Sequence, residues 1–450
     1  MHFAFIAPPF TSHVRALEAL ACVLLDRGHR VSWIHQADVA QVLRDRRIGF
    51  YVVGADTHPA GHLATMVARA ANPGGPWGLR RVIGDVAAAT DMLCRQAPAW
   101  LERLGVDAIV ADQMEAAGGL LGEGLGIPVV SVACALPVNR DPRVPLPVMP
   151  WGYATDERGV QLNEGSTRVY DWLMGPHEKT IRLHSARMGL TGRRTLADCV
   201  SQLLQISQTT AGFDFPRTAQ PANFHHVGPL RGPVAAEPPL GLSLDSERPF
   251  VFASLGTLQG GRYALFERIA KACRAEGLQL LIAHCDRLDS RQAAKLLSAG
   301  ATAVTGYAPQ RAALARADAV ITHAGMNTVM DALETGTPQL ALPIAFDQPG
   351  VAARIAHAGT GLKLLPPLAG ITALRRALRR LLSEPGYAAR SRELGLEIAT
   401  AGGTQRAADL VEAALQPHGA QSPPLTGPAP PVSATRSPVH GKLAGNPSHV

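Results

Sequence analysis

Short runs of apolar and β-branched residues, each followed by a stretch of helix composition, recur in two series along the chain, and this alternation restricts the fold more than any other feature. The first series comprises residues 3–7, 30–35, 50–53, 107–111 and 127–132; the second comprises 249–254, 278–283, 302–306, 317–322 and 338–342. Strand followed by helix, repeated, means parallel sheets with helices on both faces. The expectation is an α/β fold of two facing Rossmann-like, doubly wound parallel-sheet domains with a cleft between them. Residues 1–228 form the first domain and 248–416 the second. A Pro-, Gly- and Ala-rich stretch, 229–247, links them. From 417 to 450 the chain lacks acidic residues and periodicity and reads as a disordered tail.

In open parallel sheets ligands lie beyond the carboxyl ends of the strands, so residues just after each run are the candidates for chemistry. Ala319-Val320-Ile321-Thr322 reads as a strand and residues 327–334 as a helix, which makes 323–326 a strand-to-helix turn. The free amides and positive dipole end of that helix suit a diphosphate, with Gly325 permitting close backbone approach and His323, Asn327 and Thr328 adding donors. That task requires no metal. Asp331, further along the same helix, reads either as an acceptor for a ribose diol or as a solvated carboxylate. Asp347 and Gln348 follow the next strand and are placed to read sugar hydroxyls. Ser254, Gly256 and Thr257 follow the run 250–253 and form either an ordinary turn or a second approach to phosphates. Tyr307, before Ala308, Pro309 and Gln310, offers a ring on which a base can stack.

In the first half His13 stands at the first strand-to-helix junction, and Asp112 just after the strand 107–111. If both strands share one parallel sheet, both residues project from the same edge. A lone loop histidine is otherwise an exposed or capping residue. An imidazole with a pKa near 6.5 can, however, take the proton of an attacking hydroxyl, a group that resembles water with a pKa of about 15.7. A buried carboxylate on its other nitrogen would fix the tautomer and stabilise the imidazolium.

Together these residues resemble the donor-binding signature of the inverting UDP-sugar glycosyltransferases of the GT-B fold. That pattern runs Trp-x-Pro-Gln, His-Cys-Gly-Trp-Asn-Ser, an acidic residue, Gly-x-Pro and Asp-Gln. Here Tyr307 stands for the stacking Trp, Ala324 for the Cys, Met326 for the second Trp, Thr328 for the Ser and Asp331 for the more usual Glu. The resemblance implies uracil on Tyr307, Ala308 and Gln310, phosphates on His323, Gly325, Asn327 and Thr328, ribose on Asp331, and hexose hydroxyls on Asp347 and Gln348. It also matches Ser254, Gly256 and Thr257 to a phosphate loop, and His13 and Asp112 to a catalytic dyad. A tyrosine in place of the stacking Trp implies weaker donor binding.

The segments Ile6-Ala7-Pro8-Pro9, Ser12 to Leu17, 131–140, 146–150 and 345–354 resemble bacterial zeaxanthin glucosyltransferases. The resemblance spans roughly residues 1–415. It implies transfer of glucose from UDP-glucose, as co-substrate and with no cofactor or metal, to the hydroxyls of a carotenoid, giving mono- and diglucosides. Pro9 and Phe10 in the first loop, with Met149 and Trp151 in a Pro-rich loop, are the acceptor-binding candidates; the alternative is that these side chains cover the core. A helix is expected near 167–188. A second reading is transfer to a macrolide or another small hydrophobic aglycone. A third, from another class, is a UDP-sugar-binding module without turnover. A nicotinamide dehydrogenase is disfavoured, because Gly122-Glu123-Gly124-Leu125-Gly126 precedes a strand where a dinucleotide fingerprint would follow one.

Composition fits this reading. With 450 residues and 46% apolar content the chain can bury two full cores, and no apolar run reaches the eighteen or so residues of a membrane span. Six cysteines without CxxC spacing read as reduced thiols in a cytoplasmic protein. The formal charge of +7 is dispersed over helices and not interleaved with aromatics, which argues against nucleic acid. A basic surface does favour anionic lipid headgroups, so a monomer in peripheral contact with the inner face of the membrane is expected.

Overall fold

A computed structural model describes residues 1–232 and 238–416. All ten expected runs form strands. The first sheet contains β1 (His2–Ile6), β2 (Arg30–His35), β3 (Gly49–Val52), β4 (Ala108–Asp112), β5 (Val129–Ala133), β6 (Leu204–Ser207) and β7 (Phe224–His226). The second contains β8 (Phe250–Ser254), β9 (Gln279–Ala283), β10 (Ala303–Thr305), β11 (Ala319–Thr322), β12 (Gln339–Ala341) and β13 (Gly361–Lys363). Every pairing within the two sheets is parallel. Central strands such as β1, β4, β8 and β11 are buried along their whole length, as strands covered on both faces must be.

The spatial orders are 3-2-1-4-5-6-7 and 10-9-8-11-12-13. Each sheet therefore reverses its winding once, between β1 and β4 and between β8 and β11, and a crevice opens at each reversal. Ile6 pairs with Ala111, which brings the residues after β1 beside the end of β4. Thr322 pairs with Ser254, which does the same for β8 and β11.

Residues 1–415 form one compact unit. Its last helix, Gly403–Leu415, crosses back to the first half. Ala407, Ala408 and Val411 join a core with Leu17, Leu20 and Leu24 of the Thr11–Asp26 helix. Arg27 reaches Asp409 at 2.8 Å and Glu412 at 2.6 Å from the end of that helix. The single helix expected near 167–188 is in fact two, Glu157–Leu173 and Gly175–Arg187. Pro176 explains the break: it has no N–H to continue a helix but is well suited to open one. The expected tail, 417–450, and residues 233–237 of the linker lie outside the described residues. Among the described residues no helix is long and apolar enough to cross a membrane.

Candidate active site

The first crevice holds the histidine. Phe10 precedes the Thr11–Asp26 helix, and its carbonyl accepts the backbone N–H groups of His13 and Val14, each at 3.0 Å. His13 lies in the first helical turn, and its Nδ1 is 2.7 Å from Oδ2 of Asp112, the last residue of β4. The Asp112 side chain is fully buried; its Oδ1 accepts the Met114 N–H at 2.8 Å, and the Cys134 thiol also lies against the carboxylate. With Asp112 accepting at Nδ1, the neutral ring carries its proton there and presents a lone pair at Nε2. Burial opposes protonation of His13, but Asp112 and, from the second half, Asp347 outweigh it, so the imidazole pKa stands above its ordinary value. A ring held in this way accepts a proton at Nε2 and is stabilised as it does so.

The second crevice is built around His323. A methyl added at Gly256 would come within 2.6 Å of the His323 ring, and one at Gly325 within 2.4 Å, so the imidazole is seated in the space left by two glycines. Gly256 also has φ +72°, a conformation that side chains disfavour. Burial pulls the His323 pKa down to about 4, so the ring is neutral near pH 7; among the described residues its Nδ1 has no hydrogen-bond partner. Immediately beyond, Gly325 caps the Met326–Glu334 helix without a side-chain hydrogen bond, which leaves the first amides of the helix open to an anion. Asn327 is exposed there, with Oδ1 3.5 Å from Nε2 of Gln208 in the first half. Ser254 is buried with its Oγ accepting the Gly256 N–H at 3.4 Å, while Thr257 is exposed.

Thr328, Gln310 and Asp331 form one hydrogen-bonded line. The Thr328 hydroxyl donates to Gln310 Oε1 at 3.2 Å, and Gln310 Nε2 donates to Asp331 Oδ2 at 2.6 Å. Asp331 is not a solvated carboxylate: it is buried and ion-paired with Arg231, which also holds Glu334 at 2.6 Å. Burial raises the Asp331 pKa, with Arg231 and Gln310 acting the other way. Tyr307 is 64% exposed, its carbonyl held by the Thr305 hydroxyl at 3.0 Å, and Ala308 packs against the core beneath it.

The two crevices meet at the residues after β12. Asp347 takes the backbone N–H of Leu136 from the first half, and burial raises its pKa against the pull of His13. Gln348 is buried, with Oε1 accepting the N–H groups of Ile344 and Ala345, both at 2.9 Å. Phe346 between these elements has φ +56° and sets its ring 6.0 Å from that of Phe10, which is itself 6.2 Å from His13. Among the described residues, the four non-glycine residues with positive φ are Cys285, Asp286, Ala324 and Phe346. All lie in loops just beyond β9, β11 or β12. Such strain costs of order 1–3 kcal/mol per residue and gathers where function fixes the backbone.

Phe10 is thus brought beside His13, over a buried Pro9. Met149 and Trp151 sit on a separate loop fastened to the second half. Gly350 N–H donates to the Pro147 carbonyl at 3.0 Å, Lys363 Nζ donates to the Pro150 carbonyl at 2.5 Å, and Trp151 Nε1 donates to Asn163 Oδ1 at 2.9 Å.

Comparison with known proteins places this geometry in a family. A profile for the C-terminal domain of erythromycin biosynthesis protein CIII-like proteins matches residues 281–413. A zeaxanthin glucosyltransferase of Pantoea ananas is 48% identical over 412 residues, which cover 91% of this chain and 95% of that protein. The chain belongs to the zeaxanthin glucosyltransferase family. The zeaxanthin glucosyltransferase of Pseudescherichia vulneris is 45% identical over 416 residues, 92% of this chain and 98% of that one. Among solved structures, the glycotransferase of kitacinnamycin has a TM-score of 0.70 at 21% identity, covering 92% of this chain and 99% of its own. The fold is GT-B, and the chain is a glycosyltransferase.

Three residues that the sequence reading does not single out, Arg354, Gln208 and Arg231, join the two halves or support the site. Arg354, 1% exposed, bonds Asp214 at 2.6 Å across the two halves, lies over the Phe215 ring at 4.3 Å, and shares Asp214 with Arg217. Burial opposes ionisation of Asp214, yet the two guanidinium groups hold its carboxyl well below the usual carboxylate range. The signal was an arginine among Val351, Ala352, Ala353 and Ile355, since a charge in an apolar helix face needs a buried partner. Gln208 and Arg231 carried no such mark.

Proposed function

We propose that the protein transfers glucose from UDP-glucose, with inversion and without a metal, to the hydroxyl groups of a carotenoid such as zeaxanthin. The observation that carries this reading is the His13–Asp112 pair of one half lying within electrostatic reach of Asp347 of the other. An acceptor hydroxyl at His13 Nε2 loses its proton to the imidazole as its oxygen attacks the anomeric carbon. The bond from that carbon to the diphosphate breaks on the opposite face, so an α-linked donor yields a β-glucoside. The negative charge that grows on UDP meets the open amides of the Met326–Glu334 helix, with Gly325, Asn327 and Thr328, the neutral His323 ring, and the Ser254, Gly256 and Thr257 loop.

Uracil stacks on the exposed Tyr307 ring, alongside Ala308 and Gln310. The ribose diol donates to Asp331, a carboxylate already shared with Gln310 and Arg231. Asp347 and Gln348 read the hexose. Pro9 and Phe10 flank the attacking hydroxyl, with Met149 and Trp151 farther along the acceptor.

The acceptor class rests on the relatives in Pantoea ananas and Pseudescherichia vulneris, both named zeaxanthin glucosyltransferases. Zeaxanthin has a hydroxyl at each end, so a monoglucoside is itself a substrate and a diglucoside follows. An acceptor that resides in a bilayer makes a monomer touching the cytoplasmic membrane surface part of the same proposal. Mass spectrometry of the products from purified protein, UDP-glucose and zeaxanthin tests it: one and then two added hexoses are expected. No conjugate with zeaxanthin, beside ready conjugation of a macrolide, would reverse the acceptor assignment.

A further inference from the structure

The stretch from 57 to 84 contains no aspartate or glutamate but carries Arg69, Arg80 and Arg81. Arg69 pairs with Asp85 at 2.5 Å. Arg80 and Arg81 are exposed, and neither has an ion pair among the described residues. Beside them Trp77 is 78% exposed and Leu79 41% exposed, at the start of the Pro76–Leu104 helix. An exposed indole, an exposed leucine and two guanidinium groups with no ion pair among the described residues, gathered within residues 77–81, make the combination that an interface between water and anionic lipid favours. The indole and leucine take the acyl boundary, and the arginines take the phosphates.

The display is built. A methyl at Gly78 would collide with the Pro73 carbonyl at 1.4 Å, so only glycine lets residues 73–78 fold back on themselves. The Leu79 N–H then closes the turn on the Gly75 carbonyl at 3.0 Å. Its place is equally specific. The preceding helix, His62–Ala71, ends with the Ala71 carbonyl accepting Gln259 Nε2 at 3.1 Å and Arg262 Nη2 at 3.2 Å. Gln259 ends the short helix that opens at Gly256, beside His323. The turn therefore projects next to the point where the first half meets the phosphate loop of the second.

We propose that residues 76–81 form an interfacial anchor that seats the mouth of the cleft on an anionic lipid surface, from which a membrane-dissolved acceptor enters. The acceptor part of this statement rests on the function proposed above; the lipid contact does not. The test uses the full chain and vesicles of phosphatidylcholine with or without phosphatidylglycerol, comparing wild type with Trp77→Ser/Leu79→Ser and Arg80→Gln/Arg81→Gln. Cosedimentation of the wild type is expected only with phosphatidylglycerol and is expected to weaken with salt. The arginine pair should lower it about 30-fold and the apolar pair roughly tenfold.

Turnover of vesicle-embedded zeaxanthin should fall in both variants, while turnover of zeaxanthin carried by cyclodextrin stays at the wild-type rate and UDP still raises the melting temperature. Equal cosedimentation of wild type and both variants, or none by the wild type, would overturn the anchor. Vesicle binding that follows the predicted pattern without glucosylation of zeaxanthin in either form would leave the anchor standing and remove the proposed substrate.

Discussion

His13 Nδ1 lies 2.7 Å from Asp112 Oδ2, and Asp347, from the second half of the molecule, adds a further electrostatic pull that raises the proton affinity of the same imidazole. Neither half alone sets its basicity. For the general base proposed at His13 this has a direct kinetic consequence, because only a neutral ring can accept a proton. The rate should rise with pH through a midpoint above the ordinary 6.5 of histidine.

Replacing Asp112 by Asn removes the hydrogen-bonded carboxylate and leaves burial, which lowers the pKa, opposed by Asp347 alone, the weaker of the two acids acting on the ring. The acid limb of kcat/KM is therefore expected to shift to lower pH in Asp112→Asn. The plateau rate should fall by about 10²–10⁴-fold, because the ring loses its orienting partner. A pH–rate profile of wild type and variant checks both. A limb that stays in place would show that another group titrates.

Gly325→Ala and Gly256→Ala each drive a methyl into the His323 ring, at 2.4 and 2.6 Å. Calorimetry with UDP should show weaker binding in both, and more so in Gly256→Ala, whose backbone at φ +72° is strained by any side chain. The loss should be at least about 1 kcal/mol. Unchanged UDP affinity would mean that the ring is free to move aside.

The fold was legible where hydrophobic runs are uninterrupted. Val320 and Ile321 in β11, or Val251 and Phe252 in β8, announce strands buried on both faces, and all ten such runs were found. β6, β7 and β13 were not marked. Leu204-Gln205-Ile206-Ser207 alternates with polar residues, and its buried Gln205 is tolerated only because Asn139 and the Ser201 carbonyl satisfy its amide. Phe224–His226 and Gly361–Lys363 are three residues each, too short for periodicity to register. In the site, the placement of His13 beside Asp112 could be read, because topology puts residues at the ends of neighbouring parallel strands on one edge. What could not be read were partners distant in sequence, Arg231 on Asp331 and Asp214 on Arg354, and a local side-chain choice that leaves no periodic mark, the turn of Gln348 Oε1 toward its own loop.

Arg354 fastens the helix that begins at Gln348 to the first half. Arg354→Met leaves Asp214 buried with Arg217 alone, which should cost about 3–5 kcal/mol in denaturant unfolding. The sign with pH follows from the depressed Asp214 pKa: this stability is present above an unfolded carboxylate's value of about 3.9 and is lost as pH falls through the lower folded value. Wild type and variant should therefore converge in stability on acidification. A constant gap down to strong acid would assign the effect to packing on Phe215.

Tyr307 presents a ring that the protein itself leaves uncovered. Tyr307→Ala should weaken UDP binding by about 1–3 kcal/mol, the usual worth of base stacking on an aromatic ring, with little change in kcat at saturating donor. Calorimetry and saturation kinetics separate the two. A fall in kcat with unchanged affinity would place the base elsewhere.

The most direct test of a base in one half acting on a donor held in the other is the anomeric configuration of the product. Proton NMR of the glucoside made from UDP-α-glucose and zeaxanthin should show a β linkage. The His13→Ala protein, with UDP affinity intact, should make it at least about 10²-fold more slowly. An α-linked product, or a wild-type rate from His13→Ala, would contradict the account.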